Sequence, residues 1–213
     1  TKTMAIDLGV SNLATVVIEG ESEPYIFDGR ILVSRLRWFA KRRSKLQSVL
    51  AKQGYKHSKK LYRLVVKEHA YVKDYIHTIS RWIVELAKRR GVGKIVIGDM
   101  YKGIVKMDIG TQNNEKLHRI PFGKLVRMIA YKAQEYGIEV ESVDEAYTSQ
   151  TCSICGTKDK SSRKHRGLYV CKHCDSVLNA DVNGAKNILK RAMGYMLMAG
   201  AVVTQPEGER FVL

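Results

Sequence analysis

The four cysteines are the residues whose chemistry can be read most directly from their spacing. All of them lie in one stretch, CSICGTKDKSSRKHRGLYVCKHC, as two C-x2-C pairs separated by fifteen residues. This spacing is typical of structural zinc sites, in which four thiolates surround the ion and leave no open position for catalysis. Two disulfides or a redox-active pair are the alternatives; a reducing compartment disfavours the first, and the second does not explain two matching pairs. We predict one structural zinc ion, bound by Cys152, Cys155, Cys171 and Cys174.

Two aspartates at opposite ends of the chain form a second set of residues with chemical potential. Asp7 lies in the apolar stretch AIDLGVSNLA, and Asp181 lies in NADVNGAKNIL, shortly after the second cysteine pair. Acidic side chains that converge from separate elements can hold the Mg²⁺ ions of phosphodiester hydrolysis, because hard divalent ions prefer oxygen ligands. Each aspartate also has a simpler interpretation, since Asp7 can be a turn residue and Asp181 the N-cap of a helix. The residues alone leave both interpretations open.

The distribution of charge favours a polyanionic partner. The chain carries 37 Lys and Arg against 21 Asp and Glu, and its net charge is +16. No acidic residue occurs between Asp28 and Glu68, whereas thirteen cations do. A solvated helix usually mixes charges to form i,i+4 pairs, so a helical hairpin of one sign predicts a face that contacts phosphates. A merely solvated face, or an ordinary basic protein, is the alternative. The predicted nucleic-acid contacts are Arg35, Arg37, Lys41, Arg42, Arg43 and Lys45.

The elements that must position these residues follow from hydrophobic periodicity. The predicted strands are 3–18 with a turn at GVSN, a short continuation through EPYIFDG and RILV, and then 92–100 and 138–143. The predicted helices are 34–53, 59–90, 121–137 and about 181–198, with a loop at 101–120 and a loose tail at 200–213. This order of elements predicts an α+β fold around a central mixed sheet.

Length and composition predict a folded protein without a membrane span. A chain of 213 residues with 45% apolar residues can bury a sizeable core. No apolar run approaches the ~20 residues that cross a bilayer. The first residues lack the features of a signal peptide, so we expect a cytoplasmic location. Because a core strand begins at once, we also expect the chain to be the C-terminal part of a longer protein.

Several motifs together resemble one known family. The ordered set AIDLGVSNLA, IVIGDM, EAYTSQTCSICG, CKHC and NADVNGAKNIL is similar to the C-terminal region of TnpB (OrfB-type) transposon proteins, which are relatives of type V CRISPR effectors. The resemblance implies an RNase H-like RuvC nuclease fold with an inserted zinc ribbon. It also implies RNA-guided cleavage of DNA beside a short transposon-associated motif, with Mg²⁺ or Mn²⁺ as the catalytic cofactor. Target DNA and, in the full-length protein, a guide RNA are the implied partners.

The resemblance also implies a division of the chain. The expected parts are a RuvC-like core at 1–149 with the basic hairpin at about 34–90, a zinc ribbon at 150–177, the last RuvC helix at 178–199 and the tail at 200–213. Such a fold brings Asp7 and Asp181 into one metal site. Full-length TnpB proteins carry N-terminal segments that hold the guide RNA, which this sequence does not contain. We therefore expect the chain by itself to bind metal and nucleic acid without guided cleavage.

The sequence departs from the commonest family pattern at the second motif. There, glutamate usually precedes aspartate at the end of a strand, whereas IVIGDM has Gly98 before Asp99. A glycine carries no ligand, and Asp99 is expected on the other face of the strand if the strand persists. Glu145 ends the neighbouring strand and can reach the same edge, as in a subgroup of the family. We predict that Glu145 completes the metal site, with Asp99 at most an auxiliary ligand. The alternatives are that Asp99 takes the place of Glu145, or that catalysis is lost.

Three functions follow from these alternatives. The first is a Mg²⁺-dependent endodeoxyribonuclease, and the second is a nuclease-dead regulator that binds nucleic acid, which Gly98 makes plausible. The third is a DNA-strand-transfer transposase on the same fold. The presence of both Asp7 and Asp181 favours catalysis, and the resemblance is specifically to the nuclease group.

Overall fold

A six-stranded mixed sheet forms the centre of the molecule in the computed structural model, which describes residues 1–99, 120–165, 167–194 and the backbone of 210–211. Its strands are β1 (Lys2–Leu8), β2 (Asn12–Ile18), β3 (Tyr25–Asp28), β4 (Val92–Asp99), β5 (Glu139–Asp144) and β9 (Arg210–Phe211). The order across the sheet is β5-β4-β1-β2-β3-β9. The first three strands form an antiparallel meander, and β4 and β5 run parallel to β1. The carboxyl ends of β1, β4 and β5 therefore meet at one edge of the sheet.

Helices cover both faces of this sheet. They are α1 (Arg30–Lys52), α2 (Lys59–Arg89), α3 (Phe122–Gln134) and α4 (Ala180–Ala192). The first three pack on one face and share the larger core with Ile6, Ile95 and Ile97. Helix α4 packs on the opposite face, where it shares a smaller core with Ala5 and Val96. Because β4 is covered on both faces, its run IVI is apolar without alternation.

A second, smaller sheet lies between β5 and α4 in the sequence. It consists of three short antiparallel strands, β6 (Arg163–His165), β7 (Leu168–Val170) and β8 (Val177–Asn179). Tyr169 and Leu178 pack with two of the cysteines in a separate small apolar cluster. This module has too few apolar residues for a large core, so a metal ion is a physically reasonable source of its stability.

The structure confirms the predicted α+β fold with a central mixed sheet, but it corrects two local predictions. RILV was expected to continue the strand meander, whereas α1 already begins at Arg30. The carboxylate of Asp28 accepts a hydrogen bond from the Arg30 backbone N–H at 2.8 Å and pairs with its guanidinium. Leu32 and Leu36 are buried one helical turn apart, which fits a helix better than a strand.

The second correction concerns the start of α4. The N-cap role was one of two interpretations left open for Asp181, but Asn179 is the capping residue. The side-chain oxygen of Asn179 accepts hydrogen bonds from the backbone N–H groups of Asp181 and Val182, at 3.0 and 3.2 Å. Asp181 is therefore free of the capping role and lies in the first helical turn with its carboxylate available for other contacts.

Parts of three predictions lie outside the described residues. They are the loop at 101–119, the extension of the last helix over 195–198 and most of the tail at 200–213. Within that tail, Arg210–Phe211 is not loose, because it pairs in parallel with β3. None of the helices in the described ranges is long and apolar enough to cross a membrane.

Candidate functional site

Asp7 lies on the face of the sheet that α4 covers. Ala5 on the same strand packs in the α4 core, and the alternation of side chains places Asp7 on the same face. Burial raises the pKa of Asp7 well above its usual range, and the nearby carboxylates of Glu145 and Asp181 raise it further. The guanidinium of Arg163 opposes this shift. Three carboxylates from distant parts of the chain thus influence one another at the edge of the sheet.

A glycine in α4 permits the close approach of this helix to Asp7. If Gly184 had a Cβ atom, that atom would lie 2.6 Å from Asp7 Oδ2 and 3.3 Å from its Cγ. Real Cβ atoms do not approach other heavy atoms this closely, so any larger residue here would force the helix or the carboxylate to move. Gly184 therefore fixes how near the last helix lies to the first strand.

Asp181 is oriented by the second strand. Asn12, the first residue of β2, donates a hydrogen bond from Nδ2 to Asp181 Oδ2 at 2.7 Å. The other carboxylate oxygen, Oδ1, lies 3.9 Å from a guanidinium nitrogen of Arg163, at the start of β6. Asp181 is thus held between the main sheet and the cysteine module, close to Asp7.

The side chain of Glu145 occupies the space above Gly98. A Cβ atom at position 98 would lie 1.9 Å from Glu145 Oε1 and 2.6 Å from its Cγ. The register pairs Ile6 with Ile97, so Gly98 lies beside Asp7, one residue beyond this pair. Gly98, which supplies no ligand, therefore leaves the room that the Glu145 carboxylate occupies, directly after β5 and near Asp7.

The Glu145 carboxylate has the properties of a metal ligand without its metal ion. Its Oε1 atom is buried and has no hydrogen-bond partner among the residues that the structure describes. Burial raises the pKa of Glu145 from its usual 4.5 to about 7, with the charges of Asp99 and Asp144 adding to the shift. A buried, unpartnered carboxylate oxygen is costly unless a cation or a donor compensates it.

Asp99 lies on the opposite side of β4 from Gly98 and Val96. Val96 packs in the α4 core and Ile97 in the larger core, so the alternation continues to place Asp99 away from Asp7. Its Cα is paired with that of Asp144 on β5. Asp99 is still close enough to raise the pKa of Glu145. Its position fits an auxiliary electrostatic role better than direct ligation beside Asp7.

The donor set at this edge fits a hard divalent cation. Asp7, Glu145 and Asp181 contribute only carboxylate oxygens, which are the ligands that Mg²⁺ and Mn²⁺ prefer. Their mutual repulsion and the unpartnered Oε1 atom are both relieved by a bound cation. The residues present therefore fit the metal that the resemblance implies.

Sequence reasoning missed three residues that shape this site. Gly184 and Asn12 act through the contacts described above, and an isolated glycine inside a helical pattern was the signal for the first. The third is Thr15, whose Cα is paired with that of Asp7 on the neighbouring strand, so that both side chains share one face. Its buried hydroxyl oxygen has no hydrogen-bond partner among the described residues. No local pattern distinguishes Thr15 from an ordinary strand threonine.

The four cysteines converge as their spacing predicts. Their sulfur atoms all lie within 4.8 Å of one another, and none is in a disulfide. Cys152 and Cys174 are 3.8 Å apart, and Cys155 and Cys171 are 3.5 Å apart, measured between Sγ atoms. A tetrahedral ion with Zn–S bonds of ~2.3 Å separates its ligands by ~3.8 Å. The cluster is therefore consistent with a structural zinc site.

The basic hairpin presents most of its predicted contacts to solvent. Arg35, Arg37, Lys41, Arg42 and Lys45 are exposed on α1. The guanidinium groups of Arg35 and Arg42 lie 5.9 and 5.5 Å from the ring centre of the exposed Trp38. Arg43 differs, because it forms an ion pair with the buried Glu68 of α2. Arg43 therefore joins the two helices of the hairpin, whereas the other five cations are available to a ligand.

Family models match both halves of this architecture. A model described as "Probable transposase" (OrfB_IS605) matches residues 1–103, and one described as "Cas12f1-like, TNB domain" matches residues 122–188. TnpB-like protein MJ0751 of Methanocaldococcus jannaschii is 29% identical over 195 residues, which cover 89% of this chain and 68% of that protein. Along most of its length the chain is therefore similar to TnpB (OrfB-type) proteins.

CRISPR proteins are also among the relatives of this chain. The CRISPR-associated endodeoxyribonuclease Cas12f1 of Sulfoacidibacillus thermotolerans is 30% identical over 200 residues, which cover 88% of this chain. They cover 45% of that relative, so the chain spans about half of its length. The chain thus corresponds to part of the Cas12f1 protein.

Solved structures show that the fold is shared. The chain matches a Cas12f1–sgRNA–target DNA complex with a TM-score of 0.67 and 23% identity, over 89% of this chain and 50% of that one. It matches a CRISPR-Cas12f ternary complex with a TM-score of 0.69 and 24% identity, over 87% and 38%. The chain therefore has the fold of the matched parts of these structures, which confirms the expected α+β architecture with an inserted cysteine module.

Proposed function

We propose that this chain is the nuclease domain of a metal-dependent endodeoxyribonuclease. The observation that carries the proposal is the Glu145 carboxylate, which lies in the space left by Gly98 with an unpartnered buried oxygen, in electrostatic contact with Asp7. The charges of Glu145 and Asp181 raise the pKa of Asp7, and this repulsion destabilises the fold unless a cation compensates it, which favours a metal site over a surface that only binds nucleic acid. The names of the relatives, which include endodeoxyribonucleases, support the same reaction class.

In this proposal, Asp7, Glu145 and Asp181 hold divalent cations, Mg²⁺ or Mn²⁺. When bound, a pair of such ions supplies the charge that stabilises the attacking and leaving oxygens of phosphodiester hydrolysis. Asp7 is fixed by β1 and by the approach of Gly184, and Asn12 orients the carboxylate of Asp181. The low-dielectric surroundings of the carboxylates strengthen their attraction for a cation.

Arg163 and the basic hairpin are the groups that we assign to the nucleic acid. Arg163 approaches the carboxylates from the cysteine module and can pair with a phosphate beside the metal site. The exposed cations of α1 lie on a separate surface and fit the backbone of a DNA or RNA strand. Guide RNA and target DNA are the proposed partners in the full-length protein, because the solved relatives include Cas12f1 with sgRNA and target DNA.

The cysteine module has a structural role in this proposal. One Zn²⁺ ion bound by the four thiolates would stabilise the small β6-β7-β8 sheet, which brings Arg163 to Asp181. The zinc ion would thus act on catalysis only through the positions of side chains.

The proposal is tested by cleavage assays in the full-length protein with its guide RNA and Mg²⁺. Glu145→Ala and Asp7→Ala should each lower the cleavage rate by at least ~100-fold, because each removes a metal ligand. Asp99→Ala is the matched comparison and should retain most of the rate, since Asp99 lies on the other side of β4. DNA affinity should stay unchanged in all three variants.

Two results would change the assignment. An active Glu145→Ala protein beside an inactive Asp99→Ala protein would reverse the roles of the two acidic residues. Full activity of both Asp7→Ala and Glu145→Ala would reject the carboxylate site, whereas a wild-type protein that binds DNA without cleaving it would favour a nuclease-dead regulator.

A further inference from the structure

Side chains on one side of helix α4 form hydrogen bonds with the backbone of the segment that carries Glu145. Arg191 donates hydrogen bonds from its two terminal guanidinium nitrogens to the backbone oxygens of Asp144 and Ala146, the second at 2.8 Å. These two residues flank Glu145 in the sequence. A planar guanidinium that bridges two carbonyl groups restricts the peptide segment between them.

Asn187, one turn earlier on the helix, forms hydrogen bonds with the same segment. Its side-chain amide nitrogen donates to the backbone oxygens of Thr148 and Thr151, at 2.8 and 2.7 Å, so both amide protons are used. Thr148 in turn donates from its backbone N–H and its hydroxyl to the Glu145 backbone oxygen, at 3.0 and 2.9 Å. Asn187 is therefore connected to Glu145 through one residue.

The segment between these anchors needs external support. Tyr147 has a positive φ of 68°, in the left-handed region that side chains other than Gly, Asn and Asp rarely adopt. It is also largely exposed, at 57%, and the Lys158 ammonium lies over one face of its ring. Backbone strain of this kind persists only where surrounding contacts determine it. The hydrogen bonds from α4 are such contacts.

The same face of α4 also holds the first cysteine pair. Asn183 is fully buried; its Nδ2 donates to the Thr151 backbone oxygen at 2.8 Å, and its Oδ1 accepts from the Ser153 backbone N–H at 2.7 Å. Lys190 donates to the Ser153 backbone oxygen. These contacts flank Cys152, so one row of side chains on α4 connects the cysteine cluster with the segment that carries Glu145.

We propose that Asn187 and Arg191 are positioning residues that set where the Glu145 carboxylate lies relative to Asp181. Asp181 is part of the same helix, and Gly184 fixes the distance of that helix from Asp7. Helix α4 therefore defines the geometry of all three carboxylates. This inference rests on the proposed metal site, and neither residue touches the metal or the substrate.

The test measures Mn²⁺ binding to the purified chain at pH 8, with free Mn²⁺ counted by electron paramagnetic resonance. The Asp7→Asn variant identifies the Mn²⁺ that belongs to the carboxylate site. Arg191→Gln should weaken this binding roughly threefold to tenfold, the effect of losing one or two hydrogen bonds. The Mn²⁺ affinity of Arg191→Lys should lie between those of the wild type and Arg191→Gln, because an ammonium can reach only one of the two carbonyl groups at a time. Arg127→Gln, on the exposed side of α3, is the matched control and should bind like the wild type.

A double-mutant comparison separates positioning from general stability. In a Glu145→Ala background, Arg191→Gln should have no further effect on the remaining Mn²⁺ affinity, because the group that it positions is gone. The zinc content of Arg191→Gln, alone and in the Glu145→Ala background, should equal that of the wild type. Asn187→Asp, which keeps the shape of the side chain but loses both donated protons, should weaken Mn²⁺ binding more than Arg191→Gln does. If Asn187→Asp fails to fold, the Arg191 series alone decides the question.

The possible failures are distinguishable. Equal weakening by Arg191→Gln with and without Glu145, or no weakening in either background, would overturn the positioning role while leaving the metal site intact. Mn²⁺ binding that is the same in the wild type and in Asp7→Asn would instead overturn the proposed metal site, and the positioning role with it.

Discussion

The cysteine cluster and the carboxylate site are neighbours in the structure but are assembled in opposite ways. All four thiolates come from residues 152–174, and two short turns are enough to bring them together. The carboxylates come from residues 7, 145 and 181 and meet only because β1, the segment after β5 and α4 pack around one edge of the sheet. Local spacing therefore identifies the first site, whereas the second depends on the whole fold.

The comparison also shows how a missing ligand can be replaced. In the cysteine cluster all four donors come from the positions that the spacing predicts. At the proposed carboxylate site, Gly98 leaves space at the strand position where the common pattern has a carboxylate, and we propose that Glu145, from the segment after β5, supplies the carboxylate instead. A site built from several elements can thus obtain the same donor from a different element.

The largest expected effect follows from changing Gly98 and Glu145, singly and together. Gly98→Ala should lower DNA cleavage by at least ~100-fold, because its Cβ would occupy the place of Glu145 Oε1. Glu145→Gly should have a similar effect, since it removes the ligand. The double variant Gly98→Glu with Glu145→Gly returns a carboxylate to the usual strand position and should recover most of the lost Mn²⁺ affinity and part of the rate.

Mn²⁺ titration of the single and double variants provides the measurement, with zinc content and thermal stability as controls for folding. A double variant that binds Mn²⁺ no better than either single variant would show that the carboxylate at position 98 does not reach the site. The idea that Gly98 and Glu145 are interchangeable would then be wrong.

Loss of the zinc ligand Cys152 should have the next largest effect. Cys152→Ser should abolish stoichiometric zinc binding and increase hydrogen exchange over residues 150–176 more than over β1 and β4, because metal binding is coupled to local folding. The hydrogen bonds from Asn183 around Cys152 should transmit part of the loss to the segment after β5. Zinc analysis and amide exchange by mass spectrometry provide the measurements. Zinc-free wild-type protein with native exchange would contradict the structural role.

Strand alternation and cysteine spacing made much of this structure predictable. The spacing of the thiolates correctly predicted their convergence, and β4 persists through Asp99, which is the condition under which alternation predicts the other face of the strand for Asp99. The ligand role of Glu145 stays a prediction, although the structure places its side chain beside Asp7. These inferences succeeded where a local rule determines the direction of a side chain.

Contacts between distant elements were not predictable in the same way. Nothing in the sequence around Asn12 shows that its amide contacts Asp181, and the closeness of Gly184 to Asp7 depends on how a helix packs on a sheet. The start of α1 was predicted wrongly because RILV is compatible with a strand by propensity, and tertiary packing decided for a helix.

Substitutions in the basic hairpin should have moderate effects. They should separate Lys41, a predicted phosphate contact, from Arg43, which pairs with Glu68. Lys41→Gln should weaken DNA binding a few-fold and reduce the salt dependence, because each phosphate contact contributes ~0.7 to 0.9 to the slope of log affinity against log salt. Arg43→Gln should instead lower stability by ~1 to 3 kcal/mol, since it leaves Glu68 buried without its partner. Binding measured at several salt concentrations, with denaturant unfolding, separates the two. Unchanged salt dependence in Lys41→Gln, Arg37→Gln and their double variant would remove this surface from the nucleic-acid interface.

The smallest expected effect concerns the stability of the protein without added divalent ions. Because burial raises the pKa of Glu145 to about 7, the folded state binds a proton that the unfolded state releases near 4.5. The contribution of this residue to stability therefore falls as pH rises from about 4.5 to about 7. Glutamine is neutral at every pH, so the free energy of unfolding of Glu145→Gln should equal that of the wild type near pH 4.5. At pH 8 it should exceed that of the wild type by ~1 to 2 kcal/mol. This difference is smaller than the full pKa shift implies, because the side chain is only partly buried.

Urea unfolding at the two pH values measures this difference, and Glu139→Gln, at an exposed position on β5, is the control. Added Mn²⁺ should reverse the order at pH 8, because a ligand that binds only the folded state stabilises the wild type and not the variant that lacks a carboxylate ligand. The reversal distinguishes a metal site from a carboxylate that is buried for packing alone. A Glu145→Gln protein that stays more stable than the wild type at saturating Mn²⁺ would show that the carboxylate over Gly98 does not bind the ion.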